Sequence, residues 1–424
     1  MSREEDAAYT AAGKDYAVIE ENTAGAAAST GGVAQLHLLA VLSALMAFAS
    51  ISTDFYLPAM PAMALALGAS EGMLAYTISG YLVGFSFGQL VWGPVSDQYG
   101  RRAPVAGGLV LFIIGSTGCA MSQSAEAVIA WRIVQALGAS ASVVLSRAMV
   151  RDLYAGSRAA QMMSSLIVVM AVAPLLGPIL GAQIAAVAGW RAIFWLLVVI
   201  GMATLAALFT IPETLPVSRR TSQSPLRAIA RYGQLLTRPR LLGYVGVCGF
   251  YYAGMYAYIA GSPFAFINYH HVPAHYYGFI FGAGVLGIMA TNMINMRIVS
   301  RQGIDKTLRG GVLAAAFSTV SLAVISYTDF GSVWGLFIPL IFFVSCTGFI
   351  VANSIAGALA DFPNEAGAVS ALVGALQYGS GIAGSALVGL LADGTPWPMG
   401  LVIGSSGIGC LMSTFLLQRD RTRI

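Results

Sequence analysis

The sequence predicts an all-α polytopic membrane protein of twelve transmembrane helices in two six-helix halves. Three observations carry this expectation. Of the 424 residues, 57% are hydrophobic and only 9% charged, too little polar surface to coat a soluble globule of this size. The charges gather in short clusters separated by apolar stretches of about 20 residues, the length that crosses a bilayer core. The longest polar interruption, residues 213–240, falls near the middle and leaves six such stretches on either side.

Residues 1–35 set Arg3 and Lys14 against Glu4, Glu5, Asp6, Asp15, Glu20 and Glu21 among Ala, Gly, Ser and Thr, the composition of a disordered acidic tail. A secretory signal would show a basic start, a short apolar core and a small-residue cleavage site. The tail lacks that order and is expected to stay in the cytoplasm. The N-terminal half, 36–212, reads as helices near 36–66, 73–95, 104–122, 127–148, 160–187 and 191–211. A cytoplasmic linker over 213–240 carries six arginines from Arg219 to Arg240, with Pro212, Pro216 and Pro239 as breakers. The C-terminal half, 241–417, continues with helices near 241–268, 276–299, 309–328, 333–357, 366–391 and 396–417, and 418–424 form a cytoplasmic tail.

Orientation follows from the cations, because short loops rich in Lys and Arg face the cytoplasm. With both termini inside, Arg191 is the one cation on the outer side and Arg132 the one cation within a helix; all the others face the cytoplasm. The net charge of +4 is spread over separate loops rather than along one face, so it reads as topology and not as a nucleic-acid surface. Cys119, Cys248, Cys346 and Cys410 stand singly in apolar stretches, with neither disulfide nor metal spacing. His270, His271 and His275 cluster in one outer loop without a neighbouring cysteine or carboxylate, and no metal is expected there.

Asp54 has no charged neighbour between His37 and Glu71. At helical rise it lies roughly 25 Å from His37, in the outer half of a core about 30 Å thick. Intramembrane acids face cavities or partners and often relay protons. The plainer alternative is a carboxylate wetted from outside at a bend made by Pro58 and Pro61. Arg132, on the fourth helix, lies roughly 9 Å below the outer surface at helical rise. The two are at similar depth and are expected to couple, each lowering the other's cost in lipid; a static pair, or an arginine snorkelling outward, is the alternative.

Three further stretches resemble a known family. The turn after the second helix, GPVSDQYGRRAPV, sets Gly93, Asp97, Gly100, Arg101 and Arg102 in the pattern of the signature loop of the major facilitator superfamily, with Gln98 in place of a frequent arginine. The fifth helix, VAPLLGPILGAQ, has Pro174, Gly177, Pro178 and Gly181, similar to the antiporter motif of proton-driven drug exporters, although Ala173 and Ala182 replace two flanking glycines. In the fourth helix Arg132, Gln135 and Gly138 resemble that family's arginine motif. STDFYLPAMP, RDLY and FPNEAGAVSALVGALQYGSG look most like the bicyclomycin and chloramphenicol resistance branch, Bcr/CflA, and the likeness covers residues 36 to about 417.

The resemblance implies a major facilitator fold with its cargo site between the halves, worked by alternating access. It implies a loop that latches the cytoplasmic side, an arginine motif that serves proton coupling, and a fifth helix that seals the outer side and marks export. It further implies a secondary active transporter in the bacterial inner membrane, expected as a monomer. Its partners would be small hydrophobic or amphipathic molecules such as antibiotics, protons and the lipid bilayer. No P-loop is present, so no cofactor is expected and the proton gradient supplies the energy. The glycine runs at 282–287 and 379–384 match a dinucleotide fingerprint by letter only, and read as helix-packing glycines.

On the seventh helix Tyr251, Met255 and Tyr258 fall on one face, with Tyr252 and Tyr256 beside it. Aromatic rings and soft sulfur suit an apolar cargo of variable shape, though packing or an interfacial belt uses the same residues. Gln377 and Tyr378 on the eleventh helix are candidates of the same kind. Two readings compete with drug export. One is proton-coupled uptake or export of a small metabolite such as an amino acid or dipeptide, against which the fifth-helix motif counts when the direction is inward. The other, a polytopic membrane enzyme, lacks an HExxH or GxSxG motif.

Overall fold

A computed structural model describes residues 32–154, 156–220, 234–362 and 365–417. Most of the acidic tail, the centre of the basic linker and residues 418–424 lie outside the described residues. Nine of the described helices are long and apolar enough to cross a bilayer. With the fifth, seventh and eleventh, which pack beside them, they make twelve spans. The second to sixth spans are Glu71–Tyr99, Arg102–Met121, Ala125–Leu153, Gly156–Ala188 and Trp190–Leu208. The eighth, ninth, eleventh and twelfth are Ala274–Gln302, Ile304–Thr328, Ala366–Leu391 and Trp397–Leu416.

Local chemistry sets the ends. Ser70 and Ser124 cap the second and fourth spans by accepting from the backbone N–H of Met73 and Ala127. The second span stops at Gly100, whose φ of +91° no L side chain adopts easily.

Three spans are broken where a continuous helix was expected. The first runs Gly32–Asp54, makes a 3-10 turn over Leu57–Ala59, and resumes as Met60–Leu67. Pro58 and Pro61 cannot donate to the preceding turn, and the break is wholly buried, which is the condition for non-helical backbone at membrane depth. The seventh runs Pro239–Pro263 and ends in a π turn over Phe264–Tyr269. The tenth divides into Ser332–Ser345 and Thr347–Asp361 with no proline at the break. Hydroxyls from other residues take its freed carbonyls: Tyr251 donates to Phe343 O at 2.7 Å, Thr347 to Val344 O at 2.5 Å and Thr291 to Ser345 O at 2.5 Å.

Within each half, helices approach through glycine. Gly80, Gly84 and Gly88 lie against Ile129, Ile133 and Ser140 of the fourth span, and Gly384 lies against the Ala253 backbone. The halves meet along two pairs, second span with eleventh and fifth with eighth. Contacts across these seams include Gly72 on Gly389, Ser79 to Ser385 at 2.8 Å and Gly278 on Ile179, and beside them Asn268 of the seventh span donates to Glu71 at 2.7 Å. Glu71, Asn268 and Gly72 mark one end of the bundle; Arg101, Arg102, Arg240 and Lys306 mark the other, called here the basic end.

Candidate functional site

The break in the first span leaves Asp54 as its last helical residue, buried to 6% exposure. Thr53 Oγ1 donates to its Oδ1 at 3.2 Å. The antiporter-motif helix packs directly on this break. A methyl at Gly177 would stand 2.9 Å from Asp54 Cβ, and one at Gly181 would overlap the Phe55 carbonyl oxygen. Pro174 borders the same space, and Pro178 is buried within the helix.

Arg132 is fully buried on the neighbouring fourth span, but it does not form the expected ion pair with Asp54. Its Nη1 donates to Ser52 O at 2.8 Å and to Gln135 Oε1 at 2.7 Å, and Gln135 passes the chain to Ser116 Oγ at 2.7 Å. The rings of Tyr56 and Tyr81 cover the guanidinium at 4.5 and 4.3 Å. The physical reason is that a backbone carbonyl, an amide and two π faces hold this charge without a counter-ion. Sequence spacing had no way to find these tyrosines, because each comes from a different helix from that of Arg132.

The loop after the second span is built around Arg101, 7% exposed. Its guanidinium donates to Asp97 Oδ1 at 2.7 Å, Ser96 Oγ at 2.5 Å and Asp152 Oδ2 at 2.8 Å. Glu213, beyond the sixth span, accepts the backbone N–H of Arg101 at 2.8 Å and of Arg102 at 3.1 Å. Arg102 donates onward to Phe209 O at 3.2 Å. Gly100 leaves room for this, since a methyl there would meet the Glu213 carboxylate at 2.8 Å. Gly93 faces open space. Burial by itself would raise the Glu213 carboxyl, but backbone N–H groups of Leu215, Arg101, Arg102 and Thr214 outweigh it and hold it below its usual value. Its contribution to closing this loop is therefore complete above the ordinary glutamate range and is lost as pH falls through the lowered value. Asp152 and Glu213 were not foreseen; they stand 51 and 112 residues from Arg101 in the chain.

The C-terminal half repeats the device with its charges exchanged. The segment after the eighth span reads in sequence as only a basic, glycine-containing echo, yet its Asp305 accepts from Tyr244 at 2.7 Å and lies 3.7 Å from Arg240. Arg240 also pairs with Asp361 at 2.5 Å. Asp361, the last residue of the tenth span, is thus tied to a cation. At the opposite end Asp329 comes within 3.8 Å of His270, a carboxylate neighbour that the sequence does not place there.

Between the halves lies a cavity of about 310 Å³. Asp54, Thr53, Tyr81 and Phe85 line it from the N-terminal half, and Met255, Tyr256, Tyr258 and Tyr378 from the C-terminal half. Tyr251 is not among the lining residues. It is buried, and its hydroxyl is committed to the broken tenth span at Phe343 O and to Thr347 Oγ1 at 2.8 Å, because the freed carbonyls there need donors. Tyr252 sits behind the wall, 6.1 Å from the Tyr256 ring and 6.3 Å from that of Tyr378, and Gln377 is also outside the lining. Sequence reasoning missed the eighth span, which presents Phe281, Val285, Ile288, Met289 and Asn292 to the cavity. Their helical spacing, closing on an asparagine inside an apolar run, was the available signal.

Tyr251→Phe is accordingly expected to cost about 1 kcal/mol through the lost hydroxyl bonds, and to leave the relative preference among cargo molecules unchanged. Tyr258→Ala is expected to change that preference. Thermal unfolding in detergent and drug-resistance profiles of cells carrying each variant check both.

Residues 41–386 match the sequence profile of the Major Facilitator Superfamily. An "Uncharacterized MFS-type transporter YdgK" of Bacillus subtilis is 32% identical over 92% of this chain and 97% of its own. A "Bicyclomycin resistance protein homolog" of Haemophilus influenzae is 29% identical over 89% and 94%, and a "Chloramphenicol resistance protein" of Pseudomonas aeruginosa 32% identical over 85% of each. Among solved structures, the xylose transporter XylE of E. coli superposes with a TM-score of 0.71 at 16% identity, covering 91% of this chain and 97% of that one. Twelve spans in two halves around a shared cavity, the profile and these relatives agree: the chain is a multi-pass membrane transporter and belongs to the major facilitator superfamily, with the bicyclomycin and chloramphenicol resistance branch that its motifs resemble.

Proposed function

We propose that this transporter exports small hydrophobic or amphipathic drug-like molecules of the chloramphenicol and bicyclomycin kind, in exchange for protons entering the cell. The observation that carries the reading is Asp54. It lines the cargo cavity, makes no ion pair among the described residues, and lies under the antiporter-motif glycine Gly177. A carboxylate so placed is costly when charged and is stabilised by binding a proton. Cargo and proton then compete for one space, and the competition makes exchange obligatory. Arg132 and Gln135 hold the adjoining polar chain, and the Arg101 loop closes the basic end.

The cavity wall supports an apolar cargo: aromatic rings and methionine predominate, with few fixed hydrogen-bonding groups. The relatives named for bicyclomycin and chloramphenicol resistance support the same class. The cation bias supports a basic end, and both termini, on the cytoplasmic side of a bacterial inner membrane. The protein works as a monomer, without a cofactor, on the proton gradient.

The test uses inverted vesicles acidified by respiration. Adding chloramphenicol is expected to release protons from wild-type vesicles and not from Asp54→Asn vesicles of equal protein content. Equal release from both would remove Asp54 from the coupling path.

A further inference from the structure

Among the described residues, four hold the Arg132 guanidinium by a hydrogen bond or a ring face: Ser52 and Gln135 by hydrogen bonds, Tyr56 and Tyr81 by their ring faces. Its Nε and Nη2 are buried without a hydrogen-bond acceptor among the described residues. A guanidinium removed from water ordinarily fills its donors, so here the two π faces carry much of the stabilisation. The tyrosines differ. Tyr56 is wholly buried, its hydroxyl bonded to Thr77, and it does not line the cavity. Tyr81 also has a buried hydroxyl, but of the four contacts it alone lines the cavity, beside Asp54. Its ring stacks on Phe85 at 6.1 Å, and Phe85 meets Tyr378 of the other half at 5.0 Å.

We infer that Tyr81 is a positioning residue that transmits cargo occupancy to the buried charge. A molecule entering the cavity engages the cavity-facing edge of Tyr81 and draws its ring off the guanidinium. Arg132, left with two unfilled donors and one π face, turns to the carboxyl of Asp54, which lies two residues beyond the Ser52 carbonyl it already holds. The O–H bond of protonated Asp54 breaks, the proton passes to water in the cavity, and the carboxylate remains paired with Arg132. Empty, the cavity lets the ring return, and Asp54 takes up a proton again. This inference rests on the proton role of Asp54 proposed above.

The experiment measures proton release in weakly buffered detergent solution when chloramphenicol, ethidium or alanyl-alanine is added to the purified full chain, with probe binding followed separately across pH. Tyr81→Phe keeps the π face and is expected to release protons within about twofold of wild type. Tyr81→Leu, compared at saturating probe so that any change in affinity drops out, is expected to release about tenfold fewer protons per bound probe, with a flattened pH profile of binding. Should the leucine variant not fold, 3,4,5-trifluorophenylalanine at position 81 supplies the same shape as phenylalanine with a depleted π face, and is expected to show the same loss. Wild-type release from Tyr81→Leu or from the fluorinated variant, with Asp54→Asn silent, overturns the role of Tyr81 alone. Undiminished release from Asp54→Asn, or no release from the wild type with any of the three probes, overturns the proton reading and this inference together.

Discussion

Gly181→Val is expected to abolish drug export and to destabilise the fold by about 3 kcal/mol or more, at or beyond the upper end of overpacking costs. The added atoms would occupy the place of the Phe55 carbonyl oxygen, a backbone atom in the break between Asp54 and Leu57, and at Gly177, one turn before it, even a methyl would stand 2.9 Å from Asp54 Cβ. Backbone flanked by Pro58 cannot give way as a side-chain tip does. A comparison separates this from ordinary helix effects. A methyl added at Gly310, on the ninth span, would meet nothing within 4 Å, so Gly310→Ala should stabilise by up to about 1 kcal/mol through helix propensity alone. Unfolding temperatures in detergent, with drug resistance of the cells, measure both; similar values for the two variants would rule out this packing role of the fifth span.

Arg101→Ala is expected to cost about 3 kcal/mol. Breaking a buried ion pair costs about 3–5 kcal/mol, and the lower end applies because the Asp97 side chain is 50% exposed and rehydrates, whereas that of Asp152 is 16% exposed and does so poorly. Arg101→Lys should recover only part of the loss, since one ammonium cannot span two carboxylates and Ser96 as the guanidinium fork does. Chemical and thermal unfolding of the purified chain, compared across the two variants, checks the order. A lysine variant as stable as wild type would show that charge alone, without the fork, holds this loop.

Much of the fold was legible because a bilayer leaves few choices. Lipid offers no hydrogen bonds, so spans must be helices, and apolar length and charge clusters mark where they begin and end. The Arg101 loop and the glycines of the fifth span were legible for a related reason: a tight turn and a close helix contact each need particular residues in short register. The cavity was legible only in part. Met255, Tyr256, Tyr258 and Tyr378 line it, while Tyr251, on the same predicted face as Met255, is turned to the broken tenth span. That break has no proline to announce it, and it is satisfied by Tyr251 and Thr291 from two other helices.

The sequence by itself determined the number of spans, the division into halves, the separation of cations from apolar length, and which ionisable residues stand within the spans, above all Asp54 and Arg132. Tertiary structure alone decided how those residues meet. It set Arg132 between Tyr56 and Tyr81 instead of against Asp54, recruited Asp152 and Glu213 to Arg101, and turned the eighth span toward the cavity between the halves. The physical reason is one of range: hydropathy and helix geometry act over a few residues along the chain, whereas the partners of a buried charge are chosen across helices, by depth and rotation that no local pattern encodes.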